Sequence, residues 1–530
     1  MANPKALPCD ELAIRSSVST PACGPARYWV LAVAVLGSTL SYVDESVVNV
    51  ALPAIEADLR TTLPAMQWVI NAYTLCMSAL LLIGGAAADR FGRRRMFVIG
   101  ASIFAAGSLG CGLAPSVAML LGARAVSGIG AALLVPCSLA LIGAAFDEKE
   151  RGAAIGIWSG AAAIAAGAAP LLGGGLLDHW SWRVIFLINP LLAIPTLWIA
   201  LRRVPENRDP DAPSGIDWQG SALGFAGLGV LVYGLIASSE LGWTHPAVVV
   251  ALAAGTGLLL LFLLVERRSP APMMPLDLFR SPTFSGVNLL TLLLYGGLGG
   301  GFFFLPFLLI QARGDSATAA GAAYLPFTVV VSLLSRWSGG LIDRFGARWP
   351  LIIGPAIAAG GFAMLALSRH PYWTILLPMT VLGFGMAITI APLTTAVLNA
   401  VPAHRTGVAS GINNAVASVG SLLVIAVLGS LAVGTMSHAL ERHLERPPAS
   451  PAVRLAVETA RGGFVIPALP ASLAEEDRRR ARAIIAASID DTVRRMLWIA
   501  AALACAGVLS AVATIPGGRR GPPRSTPSRQ

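Results

Sequence analysis

Two adjacent acids, Asp44 and Glu45, stand inside a long apolar stretch, and an arginine, Arg124, stands inside another. A charge at the centre of a bilayer costs about 2.5–3.5 kcal/mol on insertion scales, so such residues are rare there and mark function. Burial disfavours a charged carboxylate, and an acid that changes form inside the membrane is a proton carrier. Arginine stays charged when buried and therefore needs an acceptor. The two acids are the obvious candidates, and a partnered carboxylate stays ionised until the surrounding helices move. A static ion pair is the competing reading. On an ideal helix Ser38, Tyr42, Glu45 and Asn49 fall within about 60° of one another. That predicts a polar stripe facing a cavity, with Asp44 at its flank. The spacing alone puts Glu45 at the centre of the stripe, so which acid is the main carrier stays open.

Other residues have weaker chemistry. Arg124, Ser127, Gly128 and Ala131 share a face whose small members let a neighbouring helix approach. Gly167, Pro170, Gly173 and Gly174 lie in one Gly/Ala-rich stretch, where the proline predicts a bend and the glycines close packing. Asp89, Arg90, Gly92, Arg93 and Arg94 form a charged turn: Gly92 permits it, and Asp89 is expected to cap a helix N-terminus. Asn288, Asn413, Asn414, Tyr295 and Tyr324 are candidates for lining a cavity. Phe302, Phe303 and Phe304 read as packing residues, and Arg336 as a snorkelling or paired cation. The six histidines are scattered through loops, which argues against a metal site. No Gly-Lys pair exists, so a Walker phosphate loop is absent. No nucleophile and base stand together. Neither a cofactor nor an enzymatic activity is expected.

These residues must be positioned by membrane helices. Of 530 residues, 55% are hydrophobic and only 12% charged, far too few to cover a soluble surface. Fourteen stretches are long enough to span a bilayer: 29–52, 67–88, 96–114, 117–140, 153–176, 183–202, 218–238, 247–265, 286–311, 319–341, 350–367, 373–399, 408–434 and 497–515. With the N-terminus inside, the inner segments hold 22 Lys/Arg and the short outer loops hold 4, a strong positive-inside bias. It places both termini in the cytoplasm and spreads the net charge of +10 over inner loops, leaving no nucleic-acid footprint. No cysteine spacing suggests a disulfide framework, and residues 1–27 read as a polar tail with no signal peptide.

Gly85-Ala-Ala-Ala-Asp89-Arg90-Phe-Gly92 returns as Gly339-Gly-Leu-Ile-Asp343-Arg344-Phe-Gly346, at an offset of 254 residues. Arg151 and Gly156 are echoed by Arg405 and Gly411, with the arginines again 254 apart. Both copies sit at inner loops, so the repeats are parallel. The surplus length fits two extra spans, which gives a 6+2+6 arrangement. Residues 1–28 form the N-terminal tail, 29–202 the first six-helix bundle, and 203–285 the two linker spans. Residues 286–515 form the second bundle, and 516–530 the C-terminal tail. Residues 435–496 are expected to lie outside as a solvated connector, the competing reading being a cover over the outer mouth, with Ser472 to Glu475 as a capping box that opens a helix to about Arg495.

Asp44-Glu-Ser-Val-Val-Asn-Val-Ala-Leu-Pro53, Gly85 to Arg94, Arg124 with Gly128 and Gly130, and Ala169-Pro170-Leu-Leu-Gly173-Gly174 together resemble the major facilitator superfamily, and within it the fourteen-span drug:proton antiporters. Ala87 stands where leucine is usual, and Ala169 where glycine is usual. The resemblance implies an all-α major facilitator fold and marks Asp44 as the coupling acid. It implies that the Asp89 turn and its echo at Gly339 to Gly346 are gates, and that the Pro170 helix is a dry seam limiting proton leak. The implied function is export of small hydrophobic or cationic compounds across the cell membrane, driven by the proton gradient. The protein is expected to work as a monomer in the lipid bilayer. A proton-coupled metabolite carrier is the rival of the same class. A membrane sensor or scaffold would have no use for a buried Asp44 and Arg124.

Overall fold

The structure, a computed structural model, describes residues 26–516 other than 209–216, 270–271, 339, 370–371, 403–404, 446–447, 459 and 471. Among the described residues helices are the only extended element, as expected where lipid offers the backbone no hydrogen-bonding partner. Fourteen long helices follow one another: α1 (Ala26–Asp58), α2 (Leu63–Phe91), α3 (Arg93–Gly112), α4 (Val117–Ala145), α5 (Glu148–His179), α6 (Trp182–Arg203), α7 (Trp218–Leu241) and α8 (Pro246–Arg268). The chain continues with α9 (Pro282–Ala312), α10 (Ala317–Leu334), α11 (Arg348–Leu367), α12 (Tyr372–Asn399), α13 (Thr406–Glu445) and α14 (Glu475–Thr514). Thirteen are each long and apolar enough to span a membrane, and α2 makes a fourteenth as a helix bent by 51° between Leu81 and Ile83.

Within the connector expected at 435–496, the helix read to about Arg495 forms and runs on as α14, and α13 extends into the connector to Glu445. Helices α13 and α14 each run 40 residues, about 60 Å at 1.5 Å per residue, roughly twice the hydrocarbon thickness. Their projecting ends persist because they pack on each other through Met436, Leu440, Leu444, Ile485 and Ile489, and because Arg479–Glu475 is paired at i,i+4. The expected capping box does not form. Ala474 occupies the cap position with no side chain to accept a bond, and α14 opens instead on Glu475, Glu476 and Asp477.

Two seams join the halves. At one, α5 meets α10 so closely that a Cβ on Gly174 would collide with the Ala317 carbonyl, and one on Gly321 with the Pro170 carbonyl. Gly167 is closed in the same way by Thr328. Pro170 lies in an unbroken helix. Its missing N–H leaves the Ala166 carbonyl free, and Ser46 of α1 donates to that oxygen at 2.7 Å. At the other seam Gln67 of α2 donates to the Ile425 carbonyl of α13 at 2.6 Å. Helix α7 lies along this seam, with Val232 and Ile236 packed on Leu75, Leu422 and Ala426, and the Ser238 and Ser430 hydroxyls 2.6 Å apart.

These contacts gather at one end of the bundle. The other end carries the Gly92 and Gly346 turns. The contacts named between the halves lie on the side away from those turns.

Candidate functional site

Asp44 and Arg124 meet inside the first bundle. Helix α1 presents Asp44 and α4 presents Arg124, with side-chain exposures of 0% and 1%. The Arg124 Nη1 donates to Asp44 Oδ2, and its Nε donates to the Val69 carbonyl at 2.9 Å. The guanidinium carbon stands 4.4 Å from the Tyr73 ring centre, a cation–π contact. Asn189 of α6 donates to Asp44 Oδ1 at 2.9 Å and to Ser108 at 3.2 Å. Helix α4 comes close enough to α2 because Gly128 faces the Tyr73 carbonyl, where a Cβ would collide. Burying an ion is costly unless it is paired and its remaining sites are bonded, and these partners meet most of that requirement. Sequence reasoning gives Asn189 no site role; its signals are a lone amide ahead of Pro190 in an apolar span and its place at the end of the Ser181-Trp182-Arg183 stretch that also resembles the fourteen-span branch.

Glu45 is half-buried beside this pair, close enough to feel the charges of Arg124 and Asp44. Its carbonyl accepts from Asn49 at 3.2 Å. The stripe read from the sequence divides. Ser38 is fully buried and accepts from Trp158 of α5 at 2.8 Å. Tyr42 is half-buried. Asn49 reaches a cavity of about 270 Å³ between the halves.

That cavity is lined by Ser46 and Asn49 of α1, Ala163, Ala166, Gly167 and Pro170 of α5, Phe302 of α9, and Tyr324, Phe327, Thr328, Val331 and Ser332 of α10. Among the described residues the lining contains no charged side chain. Phe302 stands edge-to-face with Tyr324 at 5.0 Å and with Phe327 at 5.2 Å between ring centres. The Tyr324 hydroxyl donates to the Phe302 carbonyl at 3.0 Å. Phe302 thus differs from the packing role read for it, whereas Phe303 and Phe304 are fully buried in the core. Consecutive helical residues point about 100° apart, which separates the three. The cavity suits an apolar, aromatic ligand held by a few polar groups.

Asn288 and Asn413, expected to line a cavity, instead meet inside the second bundle. Asn413 donates to Asn288 at 3.1 Å and to Thr291 at 2.8 Å. Buried amides need partners, and each provides one for the other. Tyr295 packs against the core, and Asn414 is exposed.

At the charged turn Gly92 has φ +108° and Gly346 has φ +71°, a left-handed conformation that favours glycine in both repeats. Asp89 does not cap α3; it accepts from Arg93 at 2.8 Å. The cap comes from Glu206, whose carboxylate accepts from the Arg94 and Arg95 amides at 3.1 Å each. Beyond α6, Glu206 approaches along the axis of α3, where free N–H groups point. Asp89 lies before the turn and cannot. Arg94 also donates to the Val204 carbonyl at 3.1 Å. Arg90 is exposed, with its guanidinium 5.4 Å from the Phe91 ring centre. Gly85 is uncrowded, its nearest neighbour being Pro136 at 3.9 Å from a Cβ position. Gly173 faces Val47 of α1, and Arg344 is exposed. Gly339 and the side chains of Asp343 and Arg336 lie outside the described residues. Among the described residues no group of three or more His, Cys, Asp and Glu is placed to hold a metal ion.

Residues 34–425 match the Major Facilitator Superfamily, and the chain belongs to it. It is 38% identical over 421 residues to the multidrug resistance protein Stp of Mycobacterium tuberculosis H37Rv, covering 79% of this chain and 78% of that one. It is 33% identical over 488 residues to the multidrug efflux pump LfrA of Mycolicibacterium smegmatis, covering 90% and 95%. It is 36% identical to the puromycin resistance protein of Streptomyces alboniger, covering 82% and 88%. Among solved structures, a bacterial homolog of the human lysosomal transporter Spinster, inward-facing and unoccupied, superposes with a TM-score of 0.63 at 20% identity, covering 93% of this chain and 99% of that one.

Proposed function

We infer that this member of the major facilitator superfamily exports small hydrophobic or cationic compounds across the cytoplasmic membrane in exchange for protons. The observation that carries this reading is the buried Asp44–Arg124 pair beside an uncharged aromatic cavity between the halves. The efflux and resistance names of relatives that align over most of the chain support the substrate class.

The cavity binds the compound through Phe302, Tyr324 and Phe327, with Asn49 and Ser46 as polar contacts. Glu45 adds a carboxylate that favours cations. Protonation of Asp44 cancels the charge that holds Arg124, and Glu45 is the alternative acceptor beside it. The change in pairing biases the two bundles towards one of their two openings. Release of the proton restores the pair. The buried α5–α10 seam keeps water out of the path while the outer end is closed. The turns at Gly92 and Gly346 act as paired latches on the cytoplasmic face. Both termini lie in the cytoplasm, and one chain suffices.

The test is a resistance panel in a bacterial strain stripped of its own exporters. An exporter of this kind raises resistance to lipophilic cations and hydrophobic antibiotics, and the gain is lost when a protonophore collapses the gradient. Unchanged resistance across the panel, with the protein present in the membrane, would refute it.

A further inference from the structure

A second buried acid, unused above, stands at the end away from the turns. Glu56, two residues from the end of α1, is 3% exposed. Its Oε1 accepts from the Phe464 amide at 2.7 Å, and its Oε2 is buried with no hydrogen-bond partner. Phe464 belongs to residues 460–470, a strap between α13 and α14 that crosses from one half to the other. On the first half, the Gly462 carbonyl also accepts from the Leu63 amide at 3.3 Å. On the second half, the Ile466 amide donates to Gln311 Oε1 at 3.1 Å. The Phe464 ring is 1% exposed and lies 5.9 Å from the rings of both Phe304 and Phe307 of α9.

We propose that Glu56 is the positioning residue of an outer gate: it pins the 460–470 strap across the mouth, and the strap must leave it for the mouth to open. The strap is held to the second half by the Arg461–Glu441 pair at 3.6 Å, by the Ile466–Gln311 bond and by its aromatic plug on α9. It therefore moves with the second half. The contacts that break on opening are those to Glu56 and Leu63. Gly462, at φ +88°, supplies the bend next to the released contacts.

This builds on the two-opening cycle proposed above, but not on its substrate. The experiment uses the full-length chain in intact cells, with native cysteines replaced by serine and Ala163→Cys as reporter in the cavity. A membrane-impermeant maleimide is added outside. Two cysteine pairs, Glu56→Cys with Gly463→Cys and Gln311→Cys with Ile466→Cys, are closed in turn by a short bis-thiol cross-linker. The reporter is expected to label in the uncrosslinked protein, to stop labelling when the first pair is bridged, and to go on labelling when the second is bridged. Separately, Glu56→Ala should raise outside labelling roughly ten- to hundredfold, from the loss of one hydrogen bond to a charged group, and Glu56→Gln, which keeps an accepting oxygen without the charge, should fall between Ala and the parent. The gate is overturned by full labelling with the first pair bridged, by failure of that pair to bridge, or by equal block from both pairs. It is also overturned if Ala and Gln at position 56 behave alike. A chain that exports no drug yet gives the expected labelling would refute the export reading and leave the gate standing; a drug-exporting chain without this labelling would do the reverse.

Discussion

Replacing Asp44 with asparagine strips the counter-charge from a guanidinium that is 1% exposed. What remains in contact with Arg124 is one carbonyl, that of Val69 at 2.9 Å, with the Tyr73 ring at 4.4 Å and the Phe186 ring at 5.8 Å. None of these carries a full negative charge, and the half-buried Glu45 is the one acid left nearby. Breaking a buried pair by removing one partner costs about 3–5 kcal/mol, about two to nearly four decades in an equilibrium constant. The substituted amide would keep an oxygen towards its neighbours, so the lower end of the range applies. Removing both charges, as Asp44→Asn with Arg124→Gln, leaves no uncompensated ion and should recover most of that loss. The assay pairs thermal unfolding in detergent with drug transport in energised vesicles. Asp44→Asn should unfold at a clearly lower temperature than the parent, and the double variant close to it. Neither should show proton-driven transport. A single variant as stable as the parent, or a double variant no more stable than the single, would refute the reasoning.

Three further outcomes follow from the geometry. Glu45→Gln should weaken export of a quaternary ammonium compound more than that of a neutral hydrophobic one, because only the former needs the carboxylate; dose–response curves for the two compounds check this, and a uniform loss would place Glu45 in the proton path. Gly92→Val forces a β-branched residue to φ +108° at a cost of about 1–3 kcal/mol and should slow turnover while sparing equilibrium drug binding; equal losses of both would indicate misfolding. Gly321→Val drives a side chain into the Pro170 carbonyl at a cost of about 1–3 kcal/mol and should loosen the outer seal, seen as faster outside labelling of a cavity cysteine; unchanged labelling would count against the seam.

The residues easiest to read in the sequence are those out of place in it. Asp44 and Arg124 are legible because a charge in an apolar span demands a partner, and the structure joins them across 80 positions. The fourteen spans are legible for the same reason, since each is long and apolar. Long-range polar partners are not. Glu206 looks like one more loop charge, yet it caps a helix 112 residues earlier. Glu56 looks like a solvated helix end beside Asp58, until a strap 408 residues away covers it. Faces of apolar helices are equally hidden. Nothing local says that Phe302 turns to the cavity and Phe303 to the core, or that Asn288 turns inward to Asn413. The charged helix to about Arg495 is legible in 435–496, but the extension of α13 to Glu445 and the continuity of α14 are not, because apolar content ends where the helices do not.

The central claim is that Asp44 couples proton movement to drug export. The most direct measurement reconstitutes the purified chain in liposomes, imposes a pH gradient, and follows both a lipophilic cation and internal pH. Substrate flux against the proton flux is expected, abolished by a protonophore and absent in Asp44→Asn. Gradient-driven exchange of undiminished rate in Asp44→Asn would contradict it.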